Sequence, residues 1–148
     1  MFDADKTTRR VVPVMSIGQY RKTAARSGTY RPSDKGPEFT YEPTLKGPTN
    51  PRGIVDCKVT VWQFSHNEWH PVAGYVRWEE RAPIKQVWRN NQPTGEYQLD
   101  PKKQNWATMP ETMLAKCAEA DALRKGWPEQ VGGLYVEGGS GSAFLDAL

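Results

Sequence analysis

Apolar and polar residues alternate most regularly over "IVDCKVTVWQF", residues 54–64. Val55, Cys57, Val59 and Val61 fall on one side of this run, and Asp56, Lys58 and Thr60 on the other. A period of two among β-branched residues predicts a strand with one buried face. The "SHNE" that follows has the length of a hairpin connection. "WHPVAGYVRWEE" (69–80) is then the return strand, with Pro71 near its start and Gly74 inside it. "PEFTYEP" (37–43) also alternates, and its flanking prolines predict a short edge strand. "RRVVPVMSI" (9–17) is a further β-branched run, with Pro13 at a bulge or edge.

Two segments carry the helical period instead. "SIGQYRKTAARSG" (16–28) has Ser16 as its expected N-cap and Gly28 just past its end. In "TMPETMLAKCAEADALRKGWPEQ" (108–130), Pro110 opens a helix and Gly126 and Pro128 close it. At 100° per residue, Met113, Leu114, Cys117 and Ala118 form one apolar stripe, and Lys116 and Arg124 lie on its border with Ala120 between them. Asp121 falls inside the stripe. It carries a burial cost unless Arg124 or Lys125 pairs with it, and on that reading Asp121→Leu raises thermal stability. Residues 45–53 and the polar stretch 81–105, with Lys85, Arg89, Lys102 and Lys103, read as loops. Strands largely consecutive between helices define an α+β fold. Its small antiparallel sheet has about three to four strands with a central hairpin, packed by two or more helices.

At 148 residues the chain is long enough for one domain. Hydrophobic residues are 37% and charged ones 25%, so the core is modest and depends on its six Trp and six Tyr. The net charge of +3 says less than its distribution. Lys6, Arg9, Arg10, Arg21, Lys22, Arg26, Arg31 and Lys35 follow one another with Asp34 as the one acid among them. Such a run reads first as a solvated face and second as a nucleic-acid footprint, and Tyr20 and Tyr30, interleaved with these cations, shift the balance towards the second. Lys22 and Arg26 stand four apart, a like-charge pair that costs a helix a few tenths of a kcal/mol. Cys57 and Cys117 lie in no metal spacing, and the amino terminus has no signal-peptide pattern, so a reducing cytoplasm is expected. No apolar run approaches the ~20 residues of a membrane span.

"HNEWH" (66–70) offers His66, Glu68 and His70 at alternate positions, a spacing able to hold a metal for a hydrolase. It lacks the zincin order, and no P-C-x-x-C follows as in zinc deaminases. Exposed turn and strand residues are the favoured reading. Cys117 belongs to an apolar stripe, where cysteine acts as a small hydrophobe. No nucleophile elbow or Walker loop is present. The expectation is a non-enzyme with no catalytic residue, no metal and no cofactor.

"TMPETMLAKCAEADALRKGWPEQVGGLY", together with "VVPVMSIGQYRKTAARSGTY" and "WHPVAGYVRWEE", closely resembles the phage Bet, Redβ and RecT group of single-strand annealing proteins, from about Phe2 to Tyr135. The resemblance implies an ATP-independent protein of phage homologous recombination. It implies single-stranded DNA and annealed duplex as ligands, self-association into rings or filaments, and a partner exonuclease, with no membrane contact. Arg124 matches a family cation that meets phosphates, Lys116 matches a basic position less closely, and Lys6, Arg9 and Arg10 match a basic region loosely. With Lys125, Arg21 and Lys22 these make up the expected DNA-binding set. The resemblance also implies an annealing core over residues 1–135, truncated at its amino end relative to the family's helical segment. Residues 136–148 are expected to be a flexible tail with the composition of an artificial linker. The alternative reading is a general single-stranded DNA-binding module that does not anneal.

Overall fold

A computed structural model describes residues 14–131 and 135–136. The elements run β1 (Val14–Met15), α1 (Ile17–Ala25), β2 (Tyr30–Arg31), β3 (Glu38–Tyr41), β4 (Ile54–Ser65), β5 (Glu68–Arg77), α2 (Trp78–Arg81), β6 (Ile84–Arg89), β7 (Gln92–Leu99), α3 (Asn105–Thr108), α4 (Pro110–Gly126), α5 (Pro128–Val131) and β8 (Tyr135–Val136). The class is α+β, with an antiparallel four-stranded sheet at its centre. The strand expected over 9–17 falls mostly outside the described residues. Its described part, β1, pairs in parallel with β8.

The predicted hairpin is the backbone of the sheet. β4 and β5 pair from Asp56↔Arg77 to Ser65↔Glu68. His66 and Asn67 form the turn with φ of 51° and 67°. Two consecutive left-handed residues make the turn whose twist matches that of the flanking strands. The other edge of β4 is shared. β3 pairs with its first half and β2 with Trp62 and Gln63.

Cys57 and Val61 are buried on the face towards the helices, as the alternation predicts, but Val55 is only half-buried and Ile54 takes the core place. The register explains this: Thr40 pairs with Asp56 and Tyr41 with Ile54, so Val55 is a bulge residue and the strand turns over at that point. The return strand also ends earlier than expected, because Trp78–Arg81 form a helical turn that buries Trp78.

Ser16 caps α1 by accepting from the Gln19 amide at 3.2 Å, and Gly28 has a φ of +76°, both as expected. Lys22 lies in the last turn of α1 and Arg26 at its C-cap. Cations there face the negative end of the helix dipole, which offsets their mutual repulsion. α4 buries Met113, Leu114, Cys117 and Ala118, and also Ala120, Ala122 and Leu123. Its stripe is wider than the predicted one because α1 covers a second side.

Asp121 is not a misplaced acid. It accepts from the Tyr75 amide at 3.1 Å and pairs with Lys125 at 3.2 Å, while Lys125 donates to the Ala73 carbonyl at 3.3 Å. These two side chains serve the outer edge of β5 in place of a further strand. The expected gain from Asp121→Leu is therefore reversed. The substitution should lose about 1 kcal/mol and lower the melting midpoint by a few degrees. A raised midpoint in thermal denaturation would restore the burial-cost reading.

The largest departure is residues 81–105. They form a second hairpin, β6–β7, turning at Asn90 and Asn91 with φ of 52° and 61°. A short helix, α3, follows and buries Trp106.

Candidate nucleic-acid interface

β3 ends its ladder at Lys58 and β2 begins its own at Trp62, so among the described residues Thr60 has no ladder partner on that edge of β4. The chain between β2 and β3 loops away there, and residues of α1 and α4 line the gap. The result is a cleft of about 780 Å³. Ile17, Phe39, Val59 and Ala115 supply apolar lining, and Arg21, Lys35 and Lys116 bring cations to it.

Two acids share the cleft, and both are engaged. Glu119 takes the Arg21 guanidinium through two contacts, at 2.5 and 2.6 Å. These hydrogen bonds, with the charge of Glu119, raise the Arg21 pKa above its usual value. Glu111 is 3.3 Å from Arg52 and accepts from the Tyr41 hydroxyl at 3.1 Å. Lys35 and Lys116 have no ion-pair partner among the described residues, so the unopposed charge of the cleft is positive. Tyr30 forms part of its wall, held edge-on against Trp127 at 5.5 Å. Trp127 in turn donates to Ser27 and Thr29 at 3.1 and 3.0 Å, which fixes the end of α4 to the end of α1.

The expected DNA-binding residues are thus distributed unevenly. Lys116 and Arg21 meet in the cleft, but Arg21 is neutralised there by Glu119. Lys22 is exposed on α1. Lys125 is committed to Asp121 and the edge of β5. Arg124 is half-buried, has a partner within the fold and does not line the cleft. Lys6, Arg9 and Arg10 lie outside the described residues. Lys35 belongs to the basic run, but its place in the cleft with Lys116 depends on the course of the 32–37 loop, which no local pattern announces.

The metal reading loses its geometry. His66 occupies the turn, and His70 bonds the Ser65 carbonyl at 3.2 Å. Among the described residues no group of three or more His, Cys, Asp or Glu is placed to hold a metal. Cys57 and Cys117 are both buried, and burial pushes each thiol up to about 12. Neither is a ready nucleophile, because the thiolate is the reactive form.

The α+β domain thus sets Lys35 and Lys116 beside an apolar floor. The sequence pattern of the RecT family matches residues 2–140, and the chain belongs to that family. RecT proteins bind DNA and anneal single strands in recombination. No curated protein and no solved structure matches the chain significantly. No helix among the described residues is long and apolar enough to cross a membrane.

Proposed function

We propose that this chain anneals complementary single strands without ATP during phage homologous recombination, in the cytoplasm of the host cell. In this reading the cleft between α1, α4 and the split edge of β4 follows the phosphate backbone. Copies of the chain associate along the strand, and a phage exonuclease exposes that strand. The observation that supports this best is the pair of unopposed lysines, Lys35 and Lys116, in a cleft whose acids are already paired. Annealing must be indifferent to sequence. Phosphate contacts position a strand without reading it, and base pairing between the strands does the discrimination.

Counterion release gives the test. Each phosphate contact on a single strand makes the binding constant fall by roughly 0.7 log units per tenfold rise in salt. Lys116→Ala should weaken binding of oligonucleotides of any sequence alike and make the salt slope shallower by about 0.7. Titration of labelled oligonucleotides at several salt concentrations measures both. A wild-type slope near zero would remove the phosphate account, and an unchanged slope in the variant would remove Lys116 from it.

A further inference from the structure

The face of the sheet turned away from the helices is unusually aromatic. Strand alternation places Trp62 and Phe64 of β4, and Trp69 and Pro71 of β5, on that face, opposite in direction to Cys57, Val61 and Val76. The register pairs Phe64 with Trp69 and Trp62 with Pro71, and brings Arg31 of β2 beside Trp62. The rings of Phe64 and Trp69 meet edge-on at 5.3 Å. The Arg31 guanidinium lies 4.6 Å from the Trp69 ring centre and 5.5 Å from that of Trp62.

Cross-strand aromatic pairs alone stabilise a sheet. Arg31 is the feature they do not explain. It is exposed, stands on no carboxylate among the described residues, and spreads a flat cation over two indoles. Farther along the same face, past the small Thr60 and Ala73, Tyr75 is half exposed beside Lys58. A planar cation on aromatic rings is the equipment that holds unpaired bases whatever their identity. Its positive charge suits a polyanion. Tyr30 and Arg31 are neighbours on a two-residue strand, so the cleft and this platform are separated only by β2.

We propose that Trp62, Phe64 and Trp69 under Arg31 form a base-stacking platform for single-stranded DNA, distinct from the phosphate-holding cleft. This rests on the annealing reading above and adds a second contact to it. A strand leaving the cleft past Tyr30 crosses β2 and lays its bases on the platform.

An abasic oligonucleotide keeps the phosphates and removes the bases, so it separates the two contacts. Trp69→Leu keeps an apolar side chain in the hairpin but removes the ring. Arg31→Lys keeps the charge but removes the planar guanidinium. Each variant should bind an oligothymidylate at least about fivefold more weakly than wild type, and bind an abasic oligonucleotide of equal length as wild type does. Equal losses on both ligands, or no loss on either, would overturn the platform while leaving the annealing reading in place. Failure of the wild-type chain to bind either oligonucleotide would overturn the annealing reading itself. Arg31→Lys changes an exposed side chain, so its result stands even if Trp69→Leu disturbs the hairpin.

Discussion

Gly74→Ala should cost about 3 kcal/mol of stability, the upper end of the usual range for overpacking, and lower the melting midpoint by roughly 10 °C. Gly74 sits in the middle of β5, where α4 crosses it. A Cβ there would stand 1.8 Å from the Ala118 carbonyl oxygen, 2.5 Å from the Ala122 nitrogen and 3.0 Å from the Ala118 carbonyl carbon. All three are backbone atoms, so no side-chain rotation relieves the clash and the helix must move off the strand. Such a movement also breaks the contacts Asp121 and Lys125 make with the amide of Tyr75 and the carbonyl of Ala73. The small side chains of Ala118 and Ala122 allow the close approach, and Gly74 completes it. With a whole-domain stability of about 5–15 kcal/mol, a substantial fraction of the fold's margin rests on a missing methyl group. Thermal denaturation followed by circular dichroism measures this, and an unchanged midpoint would mean that α4 does not lie this close to β5.

Trp106→Ala should cost about 3–5 kcal/mol, the usual loss for truncating a fully buried Trp. Trp106 is 0% exposed, and its ring meets Trp78 edge-on at 5.5 Å. Trp78 donates its indole N–H to the Thr49 carbonyl at 2.7 Å. The two rings therefore join three segments that the sheet alone does not hold together: the loop before β4, the turn after β5 and the approach to α4. Trp106→Phe, which keeps an aromatic edge, should cost less than the alanine variant. Urea denaturation is the measurement. The alanine midpoint should fall with little change in slope, and a midpoint equal to wild type would place Trp106 at the surface.

Much of this arrangement can be read in the residues. The β4–β5 hairpin is legible because residues 56–61 alternate and its connection is short. α4 is legible because proline and glycine fence it. The β6–β7 hairpin escaped because its strands are polar and weakly buried, so periodicity carries little signal. The paired asparagines at 90 and 91, which tolerate left-handed backbone, were the available clue. Ile54 replaced Val55 in the core because a bulge resets alternation, and a bulge is set by the partner strand. The pairing of Asp121 with Lys125 is legible from their i,i+4 spacing, but the bond to the Tyr75 amide is not, because helical geometry shows which side a residue faces and not that a strand edge waits there.

The candidate interface was half legible. The border position of Lys116 follows from its helix. The neutralisation of Arg21 by Glu119 joins residues 98 apart in sequence, and no local pattern reports it. The same holds for Arg31 over Trp62 and Trp69, since each residue belongs to a different strand.

Annealing is measured most directly as the rate at which two complementary oligonucleotides pair with and without the protein. A fluorophore on one strand and a quencher on the other report pairing. The reaction contains a chelator and no nucleotide. A strong acceleration is the predicted result. No acceleration, with single strands still bound, would contradict annealing and leave a protein that only coats DNA.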